Sequence, residues 1–443
     1  MNKPSRPRSN PHSAPEKCMP PIPQRSAREL VRNPLGFFST LTHEYGDIVC
    51  YRPAPETAYL LNHPDYVRHV LVDNNRNYSK DTFSNQIFKR VMGDGLITAE
   101  GDDWRWQRRL MQPAFHHTRL EKLDGLIVEA AQAMLDRWQE HYERGEPVDI
   151  ARQMASLTLT VTARALFGVN LGEQVNQVGE IVNRAALLFE KPSNPALQQS
   201  AAEFRAVVDE IVQERRSDFQ DTGDLLSSMM LARDETSGAG MDDEQLRNQL
   251  GGLLLAGYET TANALTWTWY LLSQNLWAVE RLRREVDLAL DGKTPRYPDL
   301  ERMPYLRQVL DESLRLYPPA WIIGRRALSE DSIGGYYVAP DTVLAISIYT
   351  LHRHPAFWEN PDTFDPQHFA PEAVAGRHKY AYIPFGGGPR QCIGNGFGLL
   401  EASLIMACVA QRFELHLVPG IEVQPQAIFV LRPNRDLLMR LHT

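Results

Sequence analysis

The chain has 443 residues, ordinary globular proportions of apolar and charged side chains, and a formal net charge of −8, which argues against a nucleic-acid binder. Its four cysteines (Cys18, Cys50, Cys392, Cys408) form no CxxC pair, so neither a zinc site nor a disulfide scaffold is indicated, and a reducing compartment fits. No run approaches the ~20 apolar residues of a membrane span, and no linker or fixed-period repeat divides the chain.

Residues 1–27 form a Pro-rich stretch without the apolar core of a signal peptide, read as a flexible tail on a cytoplasmic protein. A short helix is expected over Arg28–Phe38. Strands follow at Asp47–Tyr51 and Thr57–Leu61, then a helix at Pro64–Val72. After the Gly93-Asp94-Gly95 turn, Trp104 and Arg108 stand four apart and project from one face of a helix. An indole N–H and a guanidinium so placed can grip a carboxylate, although a basic surface helix with one core tryptophan has the same spacing. Helical patterning then runs through Leu120–His141, Val148–Phe167, Val175–Glu190 and Ala201–Arg216.

Asp242 with Gln245 reads as a capping box opening a helix to about Gln274. Gly252, Ala256, Thr260 and Ala264 form an i,i+4 ridge of small residues along which a planar cofactor can approach the backbone. Glu259 beside Thr260 in an apolar helix centre suits a proton relay; a hydroxyl bond back along the helix is the alternative. A further helix starts at Pro304 and sets Glu312 and Arg315 three apart. Trp321-Ile322-Ile323 reads as a strand leading to Gly324-Arg325-Arg326, and the segment from Ile421 to His442 as a final hairpin.

Between them lies Phe385-Gly386-Gly387-Gly388-Pro389-Arg390-Gln391-Cys392-Ile393-Gly394. Three glycines and a proline shape the backbone. The thiol precedes a helix N-terminus and stands near Arg390 in sequence, both of which favour thiolate. Such a sulfur suits a soft or borderline metal; a buried free cysteine in a tight turn is the plain alternative.

This loop resembles the haem-ligand loop of the cytochromes P450, F-x-x-G-x-R-x-C-x-G, at Phe385, Gly388, Arg390, Cys392 and Gly394. The segment Ala256-Gly257-Tyr258-Glu259-Thr260 resembles the family's A-G-x-[DE]-T signature, Glu312 and Arg315 its E-x-x-R pair, and Trp104 and Arg108 its W-x-x-x-R pair. The resemblance spans residues 28–443. It implies a mainly α fold with small β-sheets in one large haem-binding domain, with haem b (iron protoporphyrin IX) held by Cys392. Phe385, Arg390, Gly394 and Ala256 would contact the cofactor. Trp104, Arg108 and Arg326 would reach its propionates, with Arg325 the weaker candidate. Glu259 and Thr260 would feed protons to dioxygen, and Glu312 with Arg315 would form a buried structural pair. His368 stands where the family often supplies a second arginine.

Ile97, Ala256, Ala320, Trp321, Ile322 and Phe429 are expected to line an apolar substrate pocket. In the family the third and fourth helices of such a stretch form the lid over the substrate channel; the Lys191–Pro195 connection is short for that lid, so a tighter or differently placed roof is expected. The implied reaction is monooxygenation of a hydrophobic small molecule, a fatty acid or terpenoid, with O2. With no flavin or iron–sulfur motif, electrons are expected from a separate ferredoxin or flavodoxin with its reductase. Arg105, Arg109, Arg377, His378 and Lys379 suggest a basic face that would steer an acidic partner, or ordinary solvated charge. A monomer is expected. A peroxide-driven or rearranging haem-thiolate enzyme, and a silent haem-thiolate sensor or carrier, are the rival readings.

Overall fold

The computed structural model describes residues 19–23, 27–52, 57–172, 174–188, 194–233, 238 and 240–443. Most of the predicted tail and the Lys191–Ser193 part of the roof connection lie outside these. The molecule is mainly α, with small sheets at its margins.

Its axis is the helix Asp243–Gln274, about 48 Å long at 1.5 Å per residue. The capping box is present in both directions: Asp242 accepts from the Gln245 backbone, and the Gln245 side chain accepts from the Asp242 N–H. Along its middle the helix crosses Ile150–Phe167. Thr158 Oγ1 donates to the Tyr258 carbonyl at 3.0 Å. A Cβ on Gly257 would sit 2.8 Å from Thr162 Cγ2, so the small residue permits the crossing. Asp124–Arg144, Leu276–Leu290, Pro304–Leu316 and Asn395–Arg412 complete the main core. Gln174–Leu188 and Pro195–Ser217 pack on each other, the latter also on the central helix.

The largest sheet has five strands in the order Ile48–Tyr51, Ala58–Leu61, Val343–Ser347, Ile322–Ala327, Tyr78–Ser79. The predicted early strands are present. The later one begins at Ile322 and runs to Ala327, carrying Arg325 and Arg326 inside it. The final hairpin is present as Pro425–Ala427 paired with Leu431–Pro433, with Leu438–His442 continuing onto Glu414–Leu417.

The helix Pro304–Leu316 ties the core to the meander. Glu312 and Arg315 are fully buried, with Arg315 Nε to Glu312 Oε2 and Arg315 Nη2 to Glu312 Oε1 both at 2.7 Å. The guanidinium also donates to the carbonyls of His352, Pro361 and Thr363. His368 Nδ1 stands 3.1 Å from Glu312 Oε1, and its Nε2 stands 2.8 Å from the Glu359 carbonyl. The carboxylate takes a further bond from the Asp365 N–H. Histidine thus joins the pair where sequence alone suggested a missing arginine. A buried pair with its hydrogen bonds completed is costly to break.

Candidate active site

The cysteine loop is shaped by its glycines. Gly386 and Gly388 have φ of +71° and +68°, and a Cβ on Gly388 would lie 1.8 Å from the Leu71 carbonyl oxygen. Only glycine fits there. The Cys392 N–H donates to the Phe385 carbonyl at 3.0 Å, which closes the loop. Asn395–Arg412 then starts three residues past the sulfur. Cys392 sits deep in the protein yet keeps accessible surface, because it faces an opening rather than packed side chains.

Burial pushes its thiol up, while the Gly394 N–H and the Arg108 charge pull the other way. The cation serving the sulfur is therefore Arg108, whose Nη1 donates to the adjacent Gln391 carbonyl at 2.9 Å. Arg390, the sequence neighbour expected to do this, is turned elsewhere. It lies 4.0 Å over the Trp104 ring, bonds the Ala99 carbonyl at 2.8 Å and pairs with Glu100 Oε1 at 3.1 Å.

Strand alternation corrects the assignment at 325 and 326. Successive strand residues face opposite ways. Arg326 donates through Nε to the Asp81 carbonyl and through Nη1 to the Asp341 carbonyl at 3.1 Å, away from the cysteine loop. Arg325 is the buried one, within the field of Arg390 and Glu100. Ile323 shares its face and lies 3.6 Å from where a Gly386 Cβ would stand. Arg325 is therefore the buried arginine of the two, while Arg326 is taken up by the Asp81 and Asp341 carbonyls.

The central helix packs on Asn395–Arg412, the helix that follows the cysteine loop. Ala256, Gly257 and Thr260 keep partial exposure in an otherwise buried stretch, which fits a flat group approaching this ridge. Thr260 Oγ1 donates to the Ala256 carbonyl at 2.8 Å, so the back-bond is real. Glu259 is buried, its Oε2 lacks a hydrogen-bond partner, and burial pushes its carboxyl up to about 7 against the pull of Arg432. Arg432 in turn bonds Asn183 Oδ1 on the roof at 2.7 Å.

Glu259 also lines a pocket of about 450 Å³ with Phe88, Ile181, Leu197, Ser200, Phe204 and Phe429 among its walls. Of these walls, Ile181 comes from Gln174–Leu188, and Leu197, Ser200 and Phe204 come from Pro195–Ser217. Phe429 packs against Phe88 with ring centroids 4.8 Å apart and the planes tilted by 56°, and Ile97 Cδ1 lies 3.5 Å from where a Gly252 Cβ would stand. Ala320 is exposed. Trp321, expected in this pocket, is not there: its indole donates to the Ile428 carbonyl at 2.9 Å, and its ring is buried with Phe38 and Tyr51. Ile322 packs on that same cluster. A tryptophan turned inward fills core volume and satisfies its N–H at once.

The basic face is weaker than sequence suggested. Arg105 pairs with Asp102, His378 with Asp65, and Arg377 lies 3.9 Å over the Trp358 ring while bonding the His368 carbonyl. Sequence reasoning also passed over Glu401, fully buried on Asn395–Arg412. Burial pushes its carboxyl well above the usual carboxylate range, with the Thr261 hydroxyl pulling the other way. An acidic residue on an apolar helix was the available signal. Lys80, beside Glu100, was passed over as well.

The fold provides a deep, accessible cysteine, a ridge of small residues left partly exposed, and buried cations around Glu100. This donor set fits an iron porphyrin: a sulfur for the metal, a flat slot for the ring, cations for its carboxylates. The cytochrome P450 family model matches residues 21–439, and the chain belongs to that family, whose members are haem-containing monooxygenases. Cyclooctatin synthase of Streptomyces melanosporofaciens is 37% identical over 90% of this chain and 89% of its own length. Cyclooctat-9-en-7-ol 5-monooxygenase of the same organism is 34% identical over 88% and 87%. Pentalenene oxygenase of Streptomyces avermitilis is 31% identical over 94% of each chain. The crystal structure of the cytochrome P450DA haem domain superimposes with a TM-score of 0.88 at 28% identity, covering 96% of this chain and 98% of that one. Among the described residues no helix is long and apolar enough to cross a membrane.

Proposed function

We propose that this chain is a terpenoid monooxygenase that works with haem b, O2 and electrons from a separate ferredoxin or flavodoxin and its reductase. The observation that carries the substrate class is the roof pocket, whose walls among the described residues are apolar apart from Ser200 and Glu259 and include no lysine or arginine. A fatty acid would bring a carboxylate with no cation in those walls to receive it, whereas a terpenoid skeleton needs only apolar contact. The relatives named for cyclooctat-9-en-7-ol and pentalenene support the same class.

In this reading Cys392 holds the iron, Phe385, Gly394 and Ala256 flank the ring, and Trp104, Arg325 and Arg390 hold the carboxylate edge. The haem supplies dioxygen activation and transfer of one oxygen atom to a C–H bond. The chain supplies the rest. Arg108 offsets the negative charge on the Cys392 sulfur. Phe88, Phe204 and Phe429 exclude water from the substrate and orient it. Glu259 holds a proton near neutral pH because burial disfavours its ionised form. Thr260, next to it, presents at the ridge a hydroxyl that would be available to pass a proton on once released from the Ala256 carbonyl. This acid–hydroxyl pair favours the electron-driven reaction over the peroxide-driven one.

The test is a panel of terpenoids and fatty acids. Terpenoids are expected to give the spectral change of water displaced from the haem, and NADPH use with a reductase pair is expected to track product. Turnover with peroxide alone, or tighter binding of fatty acids, would overturn the proposal.

A further inference from the structure

Lys80 lies where no motif points. It follows the strand Tyr78–Ser79, whose register against Ile322–Ala327 is Tyr78 with Ala327 and Ser79 with Arg326. One more step of that register sets Lys80 opposite Arg325, and opposed residues share a face. The Lys80 backbone N–H donates to Glu100 Oε1 at 2.9 Å, the same oxygen that pairs with Arg390 at 3.1 Å. Its ammonium donates to the Ile97 carbonyl, which leaves donors to spare. Like Cys392, Lys80 is deep in the protein while part of it stays accessible.

Charge counting gives the cluster a purpose. Lys80, Arg325 and Arg390 stand against one carboxylate, Glu100, an excess of two positive charges. Arg108 is outside this count because it faces the cysteine sulfur. Burial and mutual repulsion push Lys80 down to about 7 and Arg325 down to about 10. Uncompensated buried charges are unfavourable and call for a counter-charge. Haem b carries two carboxylates, the number needed.

We propose that Lys80 is a haem-binding residue, completing with Arg325 and Arg390 a three-cation cradle for the two haem carboxylates. This rests on the haem b reading above. Lys80 supplies a point charge and free donors, while the two guanidiniums supply planar forks. A cation here also stabilises the reduced haem relative to the oxidised one.

The test compares haem release from the holoenzyme to excess apomyoglobin in wild type, Lys80→Met and Lys80→Arg, with Arg326→Met as a control on the opposite strand face. Lys80→Met is expected to release haem about 10- to 100-fold faster, the equivalent of one hydrogen bond to a charged group. It is also expected to shift the one-electron reduction equilibrium toward the ferric form by up to about tenfold, roughly 59 mV. Lys80→Arg and Arg326→Met should stay near wild type. Reconstitution with haem dimethyl ester, which lacks the carboxylates, should erase the difference between wild type and Lys80→Met. If Lys80→Met yields no holoenzyme, Lys80→Gln is judged by the same readouts.

Unchanged release and potential, or a difference that persists with the ester, overturns the role of Lys80 and leaves the haem-thiolate reading intact. A wild-type protein that carries no porphyrin, or whose spectrum shows nitrogen ligation, overturns that reading and this proposal with it.

Discussion

Glu259→Gln should make the protein more heat-stable at pH 8, relative to pH 5, while depriving it of turnover. The wild-type carboxyl is pushed from 4.5 to about 7 by burial. Below pH 4.5 it is protonated in both folded and unfolded chains and contributes nothing to the balance. Between 4.5 and 7 the unfolded chain ionises first, so it binds fewer protons and folding is progressively disfavoured. Above 7 the penalty is complete, at about 3 kcal/mol for ~2.5 pH units at ~1.36 kcal/mol each. Glutamine does not titrate. The variant's melting temperature should therefore rise relative to wild type across this window and level off above it. At ~2.1 cal/mol/K of unfolding entropy per residue, the 443-residue chain gives a relative gain of about 3 °C. The amide's own missing partner lowers the variant equally at every pH and does not enter the difference. Turnover should fall by about 10²- to 10⁴-fold, the usual scale of a lost general acid. Paired thermal melts of the haem-loaded proteins from pH 5 to 8 check the stability, and product formation with a reductase pair checks the chemistry. Parallel melting curves at every pH would refute the buried acid, and retained turnover would refute its role as proton source.

Thr260→Ala should leave stability nearly unchanged, because the lost hydroxyl bonds only the Ala256 carbonyl of its own helix in this structure. Product per NADPH should nevertheless drop by about 100-fold, the low end for a lost proton-transfer group; unaltered coupling would count against the relay. Arg315→Met strips Glu312 of its bidentate partner and leaves the carboxylate with His368 and the Asp365 N–H. The expected cost is about 3–5 kcal/mol, read in urea unfolding, and a change below about 1 kcal/mol would refute the pair's importance. Gly398→Ala should stabilise by about 0.5–1 kcal/mol in the same assay. The added methyl meets Thr261 Oγ1 at an ordinary 3.5 Å, and any loss of stability would show the contact to be tighter than that.

What could be read from the sequence was what local spacing encodes. The capping box at Asp242 and Gln245, the small ridge around Ala256, the Glu312–Arg315 pair and the glycine-shaped loop each depend on residues within about ten positions. Each appears where its spacing placed it. The misreadings share one cause, which is pairing between distant segments. Which of Arg325 and Arg326 faces inward is set by strand register against Tyr78–Ser79, nearly 250 residues earlier. Trp321 is drawn into the core by the carbonyl of Ile428 and the ring of Phe38. Arg390 is claimed by Glu100 and Trp104 rather than by the cysteine two residues on. Lys80 carries no motif, and its meaning comes wholly from the cations that the sheet and the loop bring beside it.

Those buried charges divide by how completely they are partnered. Arg315 bonds Glu312 and three backbone carbonyls, and Glu312 takes bonds from Arg315, His368 and the Asp365 N–H. Such a group has nothing left to offer a ligand, and its rigidity fixes the proximal side of the fold. Glu259 keeps an unpartnered oxygen, and Lys80, Arg325 and Arg390 outnumber the one carboxylate among them. An incompletely partnered buried charge destabilises the fold and persists only where something else completes it. The complete pair therefore belongs to the scaffold. The incomplete groups mark where cofactor and proton enter, and this is why Glu259→Gln is expected to trade function for stability while Arg315→Met loses stability with no compensating gain.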